Sequence, residues 1–140
     1  MLLAALSSDR APRPAVLLVE DHEDTRQMYA EFLEASFDVT TAGDVPTALE
    51  HARTRRPDLV VTDVSLPGMD GFGLIAAFRS DPALADIPFV CLSGFGGLAH
   101  EERARAAGCD RIIQKPCLPD ELADVIFKLL GDAGHRSFEP

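Results

Sequence analysis

Five short apolar runs, Val16–Val19, Phe37–Thr41, Leu59–Thr62, Phe89–Leu92 and Arg111–Gln114, alternate with longer stretches of helical periodicity. This alternation constrains the fold more than any other feature of the chain. Runs this short, rich in Val, Ile and Phe, suit strands, and the purest of them suit strands buried on both faces. Between them, Val45, Ala48, Leu49 and Ala52 stand at i, i+3, i+4 and i+7, and Gly71, Leu74, Ile75 and Phe78 repeat the spacing. Leu122, Val125, Ile126, Leu129 and Leu130 form the cleanest stripe, one face of one helix. Met28, Phe32 and Ala35, flanked by Tyr29 and Leu33, form a looser one. The segment "FGGLAHEERARAAG" is Gly-led and mostly polar, and the weakest, most mobile helix is expected there. Five strands alternating with five helices imply an α/β protein with a doubly wound parallel sheet, its right-handed crossovers laying helices on both faces.

The 140 residues suit one domain with a substantial core. Residues 1–14 end in "APRP" and read as a flexible leader. The domain spans 15–131, and Gly131 reads as a helix stop before a flexible tail, 132–140. The net charge of −10, with no basic run beyond Arg53, Arg55 and Arg56, argues against direct nucleic-acid binding. Cys91, Cys109 and Cys117 lack metal-ligand spacing and are odd in number. They read as incidental thiols in a reducing compartment. The apolar start "MLLAAL" has no basic flank and is too short for a signal or anchor. A cytoplasmic protein without membrane contact is expected.

In a doubly wound sheet, ligands bind beyond the carboxyl ends of the strands. The first run ends in Glu20 and Asp21, the third in Asp63, the fourth in Ser93 with Gly94 behind it. The fifth ends in Lys115 and Pro116; Lys115 is one of only two lysines beside eleven arginines. Three carboxylates, a hydroxyl and an ammonium would thus meet at one edge. Carboxylates so close need a positive partner. Mg²⁺ suits them, because it takes oxygen ligands and keeps waters that a phosphate can replace. A carboxylate there can attack phosphorus and form an acyl phosphate, with Lys115 and Ser93 taking up equatorial oxygens. Glu23 and Asp24 read instead as helix-start acids favoured by the helix dipole. His22, His51, His100 and His135 read as solvated side chains.

With these residues in hand, the chain resembles the receiver domain of bacterial two-component response regulators, the CheY-like superfamily. The resemblance runs from about Ala15 to Gly131 and rests on "VLLVEDHED", "VTDVSLPGMDG", "CLSG" and "QKP". It implies a flavodoxin-like fold with strand order 2-1-3-4-5. It implies that Asp63 is the phosphoacceptor, that Asp21 binds Mg²⁺ directly and Glu20 through water, and that the Ser65 carbonyl is a further ligand. Ser93 matches the hydroxyl that follows the phosphoryl group, and Lys115 the lysine that pairs with its oxygens. The Lys115–Pro116 bond matches one that is cis in the family. Where the family often has Tyr or Phe, three residues before the lysine, this chain has Ile112. Phe95, two residues after Ser93, and Ser65 flank the expected approach to phosphorus.

The implied function is phosphorelay signal transduction. A histidine kinase or phosphotransfer protein charges Asp63, and the altered loops signal to a downstream protein, with phosphorylation-dependent dimerisation possible. The protein would be no enzyme beyond catalysing its own phosphorylation and dephosphorylation. Two other readings differ in class. An Asp-nucleophile phosphatase would want a second acid where Ser65 stands. A phosphorylation-independent interaction module would keep the fold and use the face of the fourth and fifth helices.

Overall fold

The computed structural model describes residues 13–64, 71–94 and 98–138. Strands and helices alternate throughout: β1 (Ala15–Val19), α1 (Glu23–Leu33), β2 (Asp38–Ala42), α2 (Val45–Thr54), β3 (Leu59–Asp63), α3 (Gly71–Ser80), β4 (Phe89–Ser93), α4 (Leu98–Ala107), β5 (Arg111–Gln114) and α5 (Pro119–Phe138). The five strands form one sheet in the order β2-β1-β3-β4-β5, every pairing parallel. This is the expected flavodoxin-like architecture. No described helix is long and apolar enough to cross a membrane.

The pleat sends alternate residues into two separate cores. Leu17, Val19, Val60, Phe89 and Cys91 join one, with Val45, Ala48 and Ala52 of α2, Leu74, Ile75 and Phe78 of α3, and Ala104 of α4. Val16, Leu18, Leu59, Val61, Val90 and Leu92 join the other, with Tyr29 and Leu33 of α1 and Leu122, Ile126 and Leu129 of α5. All five residues of β3 and of β4 are buried. Helix α2 starts sharply: Asp44 accepts a 2.8 Å bond from the Thr47 amide, and that bond holds its carboxyl below the ordinary value. All three cysteines are free and buried.

Three expectations need correction. Helix α1 buries Tyr29 and Leu33, while Met28 and Phe32 stand 44% and 46% exposed and Ala35 lies past the helix end. Tyr29 decides the orientation, because its hydroxyl donates a 2.6 Å bond to the Cys117 carbonyl ahead of α5. Strand β2 begins at Asp38 rather than Phe37, since the Phe37 amide is taken by the Leu33 carbonyl at the end of α1. Helix α5 continues through Gly131 to Phe138; a single glycine lowers helix stability by about 1 kcal/mol and does not by itself end a helix. Of the expected leader, residues 1–12 lie outside the described residues. Arg13 donates to the Glu34 carbonyl, and the Pro14 carbonyl accepts from Asp38 at 2.9 Å.

Candidate functional site

The carboxyl ends of β1, β3, β4 and β5 converge as the strand order requires. Register sets Asp63 opposite Leu92, so Ser93 stands one residue beyond it on the next strand. Ser93 in turn pairs with Gln114, and its carbonyl accepts a 2.7 Å bond from the Lys115 amide. The sheet ladder thus carries Lys115 to the acidic edge. Its Nζ lies 2.8 Å from Asp63 Oδ2 and 3.3 Å from Glu20 Oε1.

Burial makes these contacts consequential. Glu20 is 1% exposed, Asp63 5% and Ser93 1%, and charges buried to this degree need partners. Partial burial of the Lys115 ammonium pulls its pKa down. The hydrogen bond and charge of Asp63, with the charge of Glu20, outweigh that and leave it above the ordinary value. Arg26 of α1 braces the same edge, donating a 2.8 Å bond to the Glu20 carbonyl.

Asp21 carries an unsatisfied atom at this edge. Its Oδ1 is buried without a hydrogen-bond partner. The His22 ring nitrogen 3.3 Å away is near enough for ionic attraction, yet makes no hydrogen bond to it. Glu20, Asp21, His22 and Asp63 each offer one ligand atom, all within 4.8 Å of one another. Hard oxygen donors with an unsatisfied carboxylate fit a divalent ion such as Mg²⁺.

Of the residues expected from sequence, Glu20, Asp21, Asp63 and Lys115 are brought together, with Ser93 at the adjoining strand end. Gly94 is exposed, and an added Cβ would meet nothing within 4 Å among the described residues. The Lys115–Pro116 peptide is cis. Ile112 is half-buried against the core of α2, α3 and α4. Ser65 and Phe95 lie outside the described residues, as does the turn between Asp63 and Gly71.

Two residues matter more than sequence spacing indicates. His22 is expected to be solvated and its side chain is 73% exposed, yet Nδ1 is hydrogen-bonded to Glu20 Oε2 at 3.2 Å; its place directly after the acidic pair is the sequence signal. Gly71 enters the sequence analysis only as part of a helical stripe. A Cβ there would stand 2.5 Å from the Asp63 carbonyl oxygen, closer than non-bonded atoms come. Glycine is what lets α3 begin against the backbone of Asp63.

Comparison with known proteins agrees with this geometry. The family model described as the response regulator receiver domain matches residues 16–127. The polar-differentiation response regulator DivK of Brucella anthropi is 32% identical over 120 residues, covering 85% of this chain and 98% of its own. Among solved structures, the chemotaxis response regulator CheY4 of Vibrio cholerae superposes with a TM-score of 0.78 at 29% identity, covering 83% of this chain and 98% of that one. A putative response regulator from Chloroflexus aurantiacus gives 0.79 at 28% identity, covering 85% and 98%. With five parallel strands in matching order and an acidic strand edge closed by a lysine, the chain belongs to the response regulator receiver domain family of two-component signalling.

Proposed function

We propose that Asp63 accepts a phosphoryl group from the phosphohistidine of a histidine kinase or phosphotransfer protein. The observation that carries this reading is the Lys115–Asp63 contact beside an Asp21 Oδ1 that no hydrogen bond satisfies. Asp21 and Asp63 would hold Mg²⁺ directly, with Glu20 acting through water and the Ser65 carbonyl as a further ligand. Once bound, the ion neutralises charge on the equatorial oxygens of the transferred group. A carboxylate oxygen of Asp63 attacks phosphorus, the new O–P bond forms, and the P–N bond to the donor imidazole breaks. The departing nitrogen keeps the electron pair of that bond, and with a proton already on its other ring nitrogen the donor leaves as neutral imidazole. Lys115 pairs with a second phosphoryl oxygen and the Ser93 hydroxyl donates to a third. Water later cleaves the acyl phosphate.

The phosphoryl group brings about one and a half to two negative charges to a buried edge. Ser93 and Lys115 follow those charges, and the Lys115–Ser93 backbone bond passes the displacement between β4 and β5. Helix α4 lies next along the chain, and Ala104 is the one residue that it buries among its described side chains. A thinly packed helix beside a switching strand suits a two-state signal to a downstream protein. The reading makes the protein a cytoplasmic phosphoacceptor, not an enzyme acting on other molecules, and allows phosphorylation-dependent dimerisation.

Intact mass measured after incubation with Mg²⁺ and a small phosphodonor tests this. The wild type should gain one phosphoryl group, Asp63→Asn none, and chelator should prevent the gain. An unmodified wild type that binds Mg²⁺, and that a panel of phosphohistidine donors also fails to charge, overturns the proposal in favour of a phosphorylation-independent interaction module.

A further inference from the structure

Phosphoryl transfer makes no use of Cys91 and Cys109, yet the fold sets their thiols together. Cys91 is in β4, and Cys109 lies in the connection between α4 and β5. Both face the same core, whereas Cys117 lies in the core on the other side of the sheet. Cys109 Sγ is 2.8 Å from the Arg111 carbonyl oxygen and 3.9 Å from that of Phe89, so it reaches from its own connection to the backbone of β4. There the Cys91 thiol donates a hydrogen bond to it. Arg111 pairs with Val90, the neighbour of Cys91, and adjacent strands run about 4.8 Å apart. Sulfurs in hydrogen-bond contact across one strand spacing need only a small shift to reach the roughly 2.05 Å of a disulfide.

The two thiols differ in a way that suits stepwise oxidation. The bond from Cys91, joined by backbone bonds at Arg111 and Cys91, outweighs burial and the Asp110 charge and holds the Cys109 thiol below its ordinary value. Giving that bond, with burial behind it, pushes Cys91 up. The thiolate is the reactive form. Cys109 also has the access: it is 7% exposed, against 0% for Cys91. It opens on a recess of about 180 Å³ lined by Glu101, Ala104, Arg105, Asp110, Arg111 and Ile112. We infer that Cys91 and Cys109 are a reversible redox pair, oxidised to a disulfide by hydrogen peroxide. The Cys109 thiolate attacks one peroxide oxygen, the O–O bond breaks, and the departing hydroxide takes up a proton as water. This leaves Cys109 as a sulfenic acid. The Cys91 sulfur then attacks the Cys109 sulfur and the S–O bond breaks. The hydroxide released takes the Cys91 proton and leaves as a second water. A dithiol reverses the bond, as a reducing compartment requires of a redox-sensing disulfide. The bond closes a loop that holds Ser93 and the whole of α4. On the reading that Asp63 is phosphorylated, it restrains the helix that carries the signal.

Peroxide treatment of the whole chain, then alkylation of the remaining thiols and mass mapping without reductant, tests the inference. The wild type should lose the mass of two hydrogens and take one alkyl group, at Cys117, in place of the three that its free cysteines take when reduced. Its digest should contain the Cys91 and Cys109 peptides joined, and a dithiol should part them. Cys91→Ala should instead gain one oxygen at Cys109. Amide hydrogen exchange in α4 should slow by at least roughly tenfold on oxidation, because a closed loop raises the cost of local opening. Absence of the joined peptides at a peroxide level that oxidises a small thiol, or a bond to Cys117 or between chains, overturns the redox pair. A Cys91–Cys109 bond with α4 exchange unchanged overturns the restraint. Neither readout involves Asp63, so failure here is distinct from failure of the phosphoryl reading, which intact mass with a phosphodonor decides.

Discussion

The two halves of the sheet differ in how they are held. In β1 and β3, which carry the acids, nine of ten residues are buried and both faces are covered by packed helices. In β5, which carries the lysine, no residue is fully buried, and α4 beside it buries Ala104 alone among its described side chains. The carboxylates thus sit on the stiff half and their ammonium partner on the thin one. Fixed like charges need a backbone that cannot relax away from their repulsion. A group that must follow incoming charge needs one that can move. Lys115 is where the halves meet.

The largest effect that can break this contrast comes from the stiff half. Leu17→Ala removes a side chain 1% exposed in β1 and should destabilise the fold by about 3–5 kcal/mol in urea unfolding. A loss no greater than that of a β5 variant would erase the distinction. Gly71→Ala comes next. Its methyl would meet the Asp63 carbonyl oxygen at 2.5 Å and the Val64 Cα at 3.0 Å, backbone atoms with no easy retreat. An overpacking loss of about 1–3 kcal/mol is expected, with slower phosphoryl uptake at Asp63. Uptake at the wild-type rate would show that the stiff half gives way after all. Ile112→Val, in the thin half, should lose only about 0.5–1.5 kcal/mol.

The gentlest probe is alkaline pH. Lys115 and Tyr29 both have pKa values raised in the fold, Lys115 by Asp63 and Glu20 against the pull of burial, Tyr29 by burial foremost and the neighbouring Cys117 and acidic groups. A raised value means that the native state holds its proton more tightly than the unfolded chain. Their stabilisation is complete below the ordinary values of 10.0 and 10.5, and drains away as pH climbs through the higher folded values. Melting temperatures measured across that range should fall less steeply in Lys115→Met than in wild type. Equal slopes would mean that the ammonium bridges the halves only weakly.

Much of this was legible in the sequence. Alternating apolar runs dictated the parallel sheet, and a parallel sheet gathers its strand ends, so Glu20, Asp21, Asp63, Ser93 and Lys115 could be named before their distances were known. What escaped depends on geometry that spacing does not encode. Helix α1 has two apolar stripes, and a phenol reaching a carbonyl across to α5 chose Tyr29 and Leu33 over Met28 and Phe32. The absent side chain of Gly71 matters only because the backbone of Asp63 passes there. Arg79 gave no signal at all. Yet it donates to the carbonyls of Ala85, Ile87 and Gly108, reaches Asp110, and lies 5.3 Å over the Phe89 ring. A motif search sees an arginine at a helix end, whereas the fold uses it to tie the α3–β4 loop to the α4–β5 loop.

Among the described residues the sheet has two margins, β2 and β5, with no further strand beside them, edges that a strand from another molecule could use. Strand β5 is only four residues long, begins at an exposed arginine and ends at an exposed glutamine. Strand β2 opens with Asp38, which is ion-paired to Arg55 at the same margin. Short length and charge at a margin discourage the in-register stacking that seeds aggregates. The thin packing of β5 therefore carries less risk than it otherwise would. A region loose enough to shift with its lysine is, by its brevity and polarity, a poor template for a neighbouring chain.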